Sequence, residues 1–299
     1  MTIDGNVAIV GSANLDTTLR VPRVPLAGET LLATDSSVTP GGKGANQAVA
    51  ARVAGGNVWF IGAFGHDAAS ETLLQSMSQH GVDITGVQFV DDEPTGTATV
   101  IVDDTGENVI VVNPGANAKL SAHHVTEVLT HFEADVVLCQ LEVPVEAVQA
   151  AADHDPRRVF ILNPAPMMAV DEIRPLLDRA NVVVPNQSEL GDLSGRATPT
   201  ALGEVEQCVR SLDFARSVVV TLGSQGAAVF ENVDAAAIHI PAPEVDAVDT
   251  SGAGDVFCGA LACAVSRGVD LIEATEYAVI LAAESTTIPG AQMPVRSPR

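Results

Sequence analysis

Short apolar runs alternate with longer amphipathic stretches along most of the chain. Apolar runs bounded by turn residues predict buried strands, and the stretches between them have the spacing of helices. From about residue 121 onward the order is regular, with strands predicted at 135–139, 158–162, 181–184 and 217–222, and helices at 121–131, 145–152, 171–179, 200–212, 253–267 and 270–285. This order predicts an α/β fold with a doubly wound, mainly parallel sheet and helices on both faces.

The N-terminal part begins with the same pattern. Strands are predicted at 6–10 and 58–63, an alanine-rich helix ends near Ala54, and a further helix over 69–79 stops before Gly81. The sequence contains neither the GxGxxG signature of dinucleotide-binding folds nor a GxxxxGK[ST] phosphate loop. Any nucleotide site must therefore be built in another way.

Two stretches depart from this pattern. Residues 17–37 alternate roughly and contain Pro22 and Pro25, and residues 95–112 alternate around a hairpin signal at 103–106. We interpret both as one small β-sheet that covers the site as a lid. The predicted core then comprises 1–16, 38–94 and 113–299, and the lid comprises 17–37 and 95–112. A single-layer lid leaves an apolar face and open edges uncovered, so we expect a homodimer in which the lids pack together.

Composition narrows the possible partners. Apolar residues make up 46% of the 299 residues but aromatic residues only 3%, so the core must rest on Ala, Val, Leu and Ile. The formal net charge of −23 argues against nucleic acid or an anionic membrane as a partner. The four cysteines form no CxxC pair, and no apolar run approaches about 18 residues. We therefore expect a soluble, cytoplasmic protein that binds small molecules.

Polar residues follow several of the predicted strands. They lie at 11–16, at Gln140 and Glu142, at Asn163, at Asn186 and at 221–226. In an open α/β sheet the carboxyl ends of the strands line one crevice, so these residues should meet there. Asn186 with Glu189 has a second interpretation, a helix N-cap with its capping-box acid. The stretch 221–226 could be a plain turn, or its glycines could contact nucleotide phosphate.

Two glycine turns lead into helices. The first, Gly41 to Gln47, contains three glycines, Lys43 and Asn46, which favours close backbone contact with a polar ligand over a simple capped loop. The second spans 248–255 and leaves several N–H groups unpaired at a helix N-terminus, where anions bind.

The second turn also carries carboxylates, Asp249 and Asp255. A carboxylate inside an anion hole makes sense if it accepts a proton while the amides hold developing negative charge, as phosphoryl transfer to an alcohol requires. The alternative is a glycine-rich turn in which the helix dipole alone favours Asp255 in the first helical turn.

Together these segments resemble the ribokinase-like family of carbohydrate kinases over nearly the whole chain. The segments that carry the resemblance are 11–16, 41–47, 140–142, 186–189, 221–226, 249–255 and Gly290-Ala291-Gln292. Within the family, the stretch 41–47 together with Glu142 favours the branch that phosphorylates ribose. The resemblance implies transfer of the γ-phosphate of ATP to the 5-hydroxyl of D-ribose, giving ribose 5-phosphate.

The resemblance also implies roles for individual residues. Asp255 would be the base that takes the hydroxyl proton, and the backbone of Gly252, Ala253 and Gly254 would stabilise the transferring phosphoryl group. The sugar would be held by Asn14, Asp16, Gly42, Lys43, Gly44, Ala45, Asn46 and Glu142, together with Asp255. ATP would be contacted by Asn186, Thr221, Leu222, Gly223, Ser224, Gln225, Gly226 and Gly254.

Cations follow from the resemblance as well. Glu189 would act on Mg²⁺ through water. A monovalent cation, usually K⁺, would be held by the Asp249 carboxylate and by carbonyls near Ser251, Ser285, Ile288 and Gly290. Two departures from the family pattern bear on these sites. Pro294 stands where the family often has a Ser ligand, and whether Ser297 replaces it is left open. Val279 stands where a polar or ring side chain often meets adenine.

Other acceptors remain as alternatives. The rivals within the superfamily are a fructokinase and a nucleoside kinase such as adenosine kinase. A nucleoside needs an apolar or aromatic slot for its base, but the lid segments contain no Trp or Tyr and only Phe89 is nearby. A non-catalytic sugar-binding protein of the same fold is a third possibility, against which Asp255 with an intact 252–254 turn argues.

Overall fold

The computed structural model describes residues 5–214 and 216–294. Its strands are β1 (Asn6–Val10), β2 (Asn14–Arg20), β3 (Asp35–Gly41), β4 (Asn57–Ile61), β5 (Ala63–Phe64), β6 (Gln88–Phe89), β7 (Thr97–Val102), β8 (Asn108–Asn113), β9 (Val136–Cys139), β10 (Val159–Leu162), β11 (Val182–Val183), β12 (Ser217–Thr221), β13 (Ala227–Phe230) and β14 (Ile238–Ile240). Its helices are α1 (Lys43–Val53), α2 (Ala68–Gln79), α3 (Ala122–Leu129), α4 (Val145–Asp153), α5 (Val170–Arg179), α6 (Gln187–Ser194), α7 (Leu202–Arg210), α8 (Ala253–Ser266) and α9 (Leu271–Ser285). Short 3₁₀ turns cover Gly115–Lys119 and Gly223–Gln225.

The large sheet has the strand order β14-β13-β12-β11-β10-β9-β1-β4. Neighbouring strands from β12 to β4 pair in parallel, whereas β13 pairs antiparallel with both β12 and β14. Alternate residues of the strands face two separate cores. In β1, Val7 and Ile9 pack with helices α1, α2, α8 and α9, while Ala8 and Val10 pack with α3 to α7. The predicted doubly wound, mainly parallel sheet with helices on both faces is therefore confirmed.

A four-stranded sheet, the lid sheet, has the order β3-β2-β7-β8. The predicted hairpin corresponds to β7 and β8, and the stretch with the two prolines lies between β2 and β3. Both β2 and β3 extend beyond the predicted lid segment 17–37, because β2 begins at Asn14 and β3 ends at Gly41, where these two residues pair. The base of the lid sheet therefore belongs to the site. The division of the chain into core and lid stays a prediction.

Strands β6, β13 and β14 were not predicted, and α6 was expected only as one of two interpretations of the segment that begins at Asn186. Helix α6 follows Asn186, whose side chain accepts from the Glu189 amide while Glu189 caps in return, so the capping-box interpretation holds. Strands β13 and β14 were missed because they are only four and three residues long. They close the edge of the sheet beside the turn that follows β12. Within the described residues, no helix is long and apolar enough to cross a lipid bilayer.

Candidate active site

The N-termini of helices α1 and α8 lie side by side at the centre of the site. Helix α1 begins after Gly42, with φ 86°, and α8 begins after Gly252, with φ 72°; neither has a side-chain cap. Only glycine adopts such angles without strain. The two helices pack closely, because a Cβ on Gly259 would lie 2.4 Å from the Gln47 carbonyl oxygen. The small residues of both helices thus bring the two glycine turns of the sequence side by side.

The Asp255 carboxylate lies at this junction, in the first turn of α8. Its Oδ2 accepts from Asn46 Nδ2 at 3.0 Å and its Oδ1 accepts from Gln47 Nε2 at 3.1 Å. Burial raises the pKa of Asp255 above its ordinary value, although the Lys43 ammonium and the two amides oppose the shift. A carboxylate held by donors, with a raised pKa, has the properties of a general base.

Lys43 is the counterion of this region. Burial lowers its pKa, but the carboxylates of Asp255, Glu142 and Glu189 outweigh burial and leave the pKa above its ordinary value. Lys43 therefore stays an ammonium ion at any physiological pH. It balances part of the negative charge that the surrounding carboxylates would otherwise place in the site.

Polar groups from β2 and from the segment after β9 form the other wall. Glu142 Oε2 accepts from the Lys43 backbone N–H at 3.1 Å and from the Ser12 hydroxyl. Asn14 is buried, and its Oδ1 accepts from Asn117 Nδ2 at 2.8 Å. Asn117 was missed by the sequence analysis, because it lies in an irregular segment more than one hundred residues from its partner.

Asp16 completes this wall. Its carboxylate lies against Gly41, where a Cβ would be 2.0 Å from Oδ2. Burial, followed by the charges of Glu142 and Asp255, raises the pKa of Asp16 to about 7. Its Oδ1 is buried without a hydrogen-bond partner among the described residues. A bare buried carboxylate oxygen is costly unless a ligand hydroxyl bonds to it, so Asp16 fits a polyhydroxyl ligand.

Two cavities meet at Gly254. The larger, of about 850 Å³, is lined by the turn after β12, the segment 242–247, the start of α8 and part of α9. The smaller, of about 150 Å³, is lined by Lys43, Glu189, Asp255 and Cys258 among others. Thr221 and Gly254 line both cavities. The two cavities therefore adjoin at Thr221 and Gly254, and Asp255 lines the smaller of them.

The predicted nucleotide residues are placed in three different ways. Thr221, Gly223, Ser224, Gly226 and Gly254 line the large cavity, and Asn186 lines the small one. Leu222 is part of the hydrophobic core instead. The carbonyl of Gln225 accepts from His239 on β14 at 2.8 Å, and Gln225 lines neither of these cavities.

The far wall of the large cavity comes from residues that carry no motif. They are the segment 242–247, Phe257 and, on α9 and just after it, Val279, Ala282, Ala283 and Thr286. The segment 242–247 contributes Glu244 and Asp246, and no Lys or Arg is found among the described residues that line this cavity. An anionic ligand there would have to be held by backbone amides and by the N-terminus of α8.

The residues predicted for K⁺ lie close to one another. Asp249 accepts from the Ser251 amide and from the Gly290 amide, both at 2.9 Å, which ties the turn before α8 to the segment after α9. Burial raises the pKa of Asp249, but these amides outweigh it and leave the pKa below its ordinary value. Ile288 and Ser285 are joined by a backbone hydrogen bond of 3.3 Å. Oxygen-rich surroundings of a single ionised carboxylate fit a monovalent cation.

Glu189 is the residue predicted for Mg²⁺. Its carboxylate accepts from the Asn186 amides at the N-terminus of α6, and burial raises its pKa. Within 5–214 and 216–294, no three His, Cys, Asp or Glu side chains come together as metal ligands. One carboxylate is enough where nucleotide phosphates and water supply the other Mg²⁺ ligands. Ser297 lies outside the described residues.

Comparisons with known proteins agree with this geometry. A sequence profile described as "pfkB family carbohydrate kinase" matches residues 4–298. A ribokinase of Schizosaccharomyces pombe is 32% identical over 98% of this chain and 95% of its own.

Solved structures are similar as well. A ribokinase from Thermotoga maritima aligns with a TM-score of 0.86 and 34% identity, covering 98% of this chain and 97% of its own. A ribokinase of Arabidopsis thaliana, solved in complex with ribose and ATP, aligns with a TM-score of 0.85 and 31% identity over 97% of this chain and 95% of its own.

Proposed function

The chain belongs to the pfkB family of carbohydrate kinases, and we propose that it transfers the γ-phosphate of ATP to the 5-hydroxyl of D-ribose, giving ribose 5-phosphate and ADP. The enzyme is an ATP-dependent carbohydrate kinase. The observation that carries the proposal is the position of Asp255. On one side of its carboxylate is the polar wall that includes Asp16 and Glu142. On the other side is Gly254, where the two cavities adjoin.

The reaction follows from this arrangement. The 5-hydroxyl oxygen attacks the γ-phosphorus, the bond from that phosphorus to the β–γ bridging oxygen breaks, and ADP leaves with the bond's electron pair. Asp255 accepts the hydroxyl proton and later releases it to solvent. At the start of α8 the Ala253 amide donates to the Thr250 carbonyl at 3.3 Å, whereas the amides of Gly254 and Asp255 have no acceptor within the helix and would stabilise the charge of the transferred group.

The sugar side is assigned to the polar wall. The Asn14 amide would donate to a ribose hydroxyl, the Asp16 and Glu142 carboxylates would accept from ribose hydroxyls, and Lys43 and Asn46 would close the opposite side. The bare Oδ1 of Asp16 and the Asn117 bond that orients Asn14 support this assignment. The backbone of Gly42, Gly44 and Ala45 lies at the same helix start. The N–H groups of Gly44 and Ala45 donate to the hydroxyl and the carbonyl of Ser12, so these residues would shape the sugar site by the close approach of their backbone.

The nucleotide is assigned to the large cavity, with its phosphates toward Gly254. Mg²⁺, when bound, would neutralise charge on the phosphates, and Glu189 would hold it through water. K⁺ would bind beside the turn before α8, at Asp249 and the carbonyls near Ser251, Ser285, Ile288 and Gly290. Both cations matter here because the described residues that line the large cavity bring two carboxylates and no cationic side chain.

We further propose a homodimer that forms through the lid sheets. Among the described strands β8 pairs with β7 alone, and its Val109, Ile110, Val111 and Val112 are 42–62% exposed. An apolar edge strand of this kind is normally covered by a partner. The four cysteines are free and buried, which supports a cytoplasmic location.

A panel of acceptors tests the proposed function. D-ribose, 2-deoxy-D-ribose, D-fructose and adenosine are each supplied with ATP and Mg²⁺, and both ADP release and the phosphorylated product are measured. We expect the highest kcat/KM with D-ribose and a product identified as ribose 5-phosphate. A higher kcat/KM with D-fructose or adenosine would replace the proposed acceptor. ADP release without a sugar phosphate from any of the four would contradict the proposal.

A further inference from the structure

We propose that Gln47 is a positioning residue for proton transfer: its amide, oriented by Asn163 and Gln140, fixes the Asp255 carboxylate in place and keeps a hydrogen-bond donor directed at it. The inference rests on the proposed function, because it assigns to Gln47 a part in the same reaction. Gln47 lines neither of the two cavities that meet at Gly254. Gln47 would therefore act on the reaction through the residues that it contacts, and of these Asp255 and Asn163 line the smaller cavity.

The side-chain amides form a buried chain beneath the base. Gln47 Nε2 donates to Asp255 Oδ1 at 3.1 Å and to Asn163 Oδ1 at 3.2 Å. Gln47 Oε1 accepts from Gln140 Nε2. Gln47 and Gln140 are both 0% exposed, so water cannot replace these bonds. The chain joins helix α1 to the carboxyl ends of β9 and β10 in the centre of the sheet.

The orientation of every amide in the chain is dictated by its two ends. The Val184 carbonyl can only accept, so Asn163 presents Nδ2 to it, at 2.9 Å, and turns Oδ1 toward Gln47. The Asp255 carboxylate, when ionised, can also only accept. Gln47 therefore presents Nε2 to both Asn163 and Asp255. Its Oε1 is left facing Gln140, which donates to it.

Reversing the Gln47 amide would change the protonation state that the site favours. Oε1 would then face Asn163 Oδ1 and Asp255, and only a protonated Asp255 could bond to it. One feature favours this reversal: Gln140 Oε1 is buried with no hydrogen-bond partner in the described parts of the chain, and a reversed Gln47 could donate to it if the Gln140 amide were reversed as well. Asn163, anchored on Val184, opposes the reversal. Asn163 is therefore the residue that keeps Gln47 a donor to the base.

The charges around Asp255 make the amide donors important. Lys43 on α1 is the one cation among the interactions that shift Asp255, and Glu142 acts against it. Asp16 on β2, Glu189 on α6 and the Cys258 thiol one turn along α8 also interact with Asp255. Three carboxylates thus disfavour an ionised Asp255 and one ammonium favours it. The donors from Gln47 and Asn46 supply the remaining stabilisation of the ionised form.

The dependence of kcat on pH, at saturating D-ribose and ATP with Mg²⁺, tests the inference. Gln47→Met keeps the length of the side chain and removes the donor, and Asn163→Leu removes the anchor. We expect both variants to move the acid limb of kcat upward by about one pH unit. Below the limb kcat should fall about tenfold relative to the unaltered enzyme, and most of the loss should be recovered at alkaline pH. The KM for D-ribose should stay within about twofold.

Asn117→Leu is the matched control, because it also removes a buried amide but one that holds Asn14 rather than the base. It should raise the KM for D-ribose and leave the acid limb where it is. Gln140→Met keeps both donor bonds of Gln47 and should give a smaller shift in the same direction. If Gln47→Met or Asn163→Leu does not fold, the position of the acid limb in Gln140→Met tests the inference instead.

An acid limb that stays in place in the folded variants, whether kcat falls equally at every pH or does not change, would overturn the inference. Failure of the proposed function is distinguishable from this outcome. It would appear as an unaltered enzyme that makes no ribose 5-phosphate, before any variant is compared.

Discussion

Asn46 Nδ2 donates to Asp255 Oδ2 at 3.0 Å, although the two residues are 209 positions apart in the chain. The bond joins the glycine turn that begins α1 to the glycine turn that begins α8. One turn belongs to the proposed sugar site and the other to the proposed phosphate site. A hydroxyl held by the first is thereby brought to the base and the amide groups of the second, and this is the geometry that phosphoryl transfer needs.

Gly254 and Gly252 should respond differently to a methyl group. A Cβ on Gly254 meets no atom within 4 Å, and the residue lines both cavities. Gly254→Ala should therefore fold as well as the unaltered protein, yet lower kcat by about tenfold or more, because the methyl group displaces the phosphoryl group.

Gly252→Ala is the contrasting variant. A Cβ there would lie 2.5 Å from the Ala291 carbonyl oxygen, and φ is 72°. The free energy of unfolding should fall by about 1–3 kcal/mol. Thermal unfolding and steady-state kinetics on both variants check the pair. A Gly254→Ala enzyme with unaltered kcat would place the phosphoryl group elsewhere.

Asp16 should make the free protein less stable as pH rises. Its pKa is about 7 in the folded state against 3.8 ordinarily, so the folded chain holds more protons than the unfolded chain between these values. Stability is therefore highest below this window and falls through it. Asp16→Asn removes the loss and should stabilise the free protein by roughly 1–3 kcal/mol at pH 8, with little change at pH 4.

The same substitution should weaken D-ribose binding, because Asp16 is assigned to the sugar hydroxyls. Chemical denaturation at the two pH values and the KM for D-ribose are the measurements. Asp104→Asn, on an exposed hairpin turn, is the matched control and should change neither quantity. Equal stabilisation by Asp16→Asn at both pH values would show that the Asp16 charge is not responsible.

K⁺ should activate the enzyme through Asp249. Its two carboxylate oxygens each accept one backbone amide, which leaves further lone pairs for a cation beside the start of α8. Replacing K⁺ by Na⁺ or Tris should lower kcat, and Asp249→Asn should reduce the difference among the three buffers. Equal activity of the unaltered enzyme in all three buffers would show that Pro294 leaves the site incomplete.

The lid sheet should hold two copies together. Val111 is 62% exposed and lies on β8, the strand at the edge of the lid sheet, so it would lie in the contact. Val111→Asp should convert the dimer to a monomer at micromolar protein concentration, as measured by sedimentation. Leu32→Asp alters a residue that is 87% exposed but lies between β2 and β3, outside the lid strands, and should leave the dimer intact. A monomeric unaltered protein would contradict this assembly.

The sequence was sufficient for the fold class because the alternation of strands and helices is local. The parallel sheet, the two glycine turns and the N-cap at Asn186 all follow from neighbouring residues. Strands β13 and β14 were missed because strands of four and three residues are too short to show a recognisable alternation of apolar and polar positions.

The contacts that complete the site are not local. Asn117 reaches Asn14 across 103 residues, and Gln47 reaches Asn163 across 116. Gln47 is part of the glycine motif that the sequence singled out, but its function depends on partners that only the folded chain brings near. The segment 242–247 has no motif, and its place beside the large cavity follows from the path of the chain after β14.

The Asp255→Asn variant tests the central claim most directly. The change keeps the size of the side chain and removes the base, and general-base catalysis contributes about 10²–10⁴ to the rate. With D-ribose and ATP saturating, kcat for ribose 5-phosphate formation should fall by about that factor, while the dissociation constant for ATP and the thermal stability change little. A folded Asp255→Asn enzyme that keeps near-normal kcat would contradict the account, because Asp255 would then be no more than the acidic residue of a helix N-terminus.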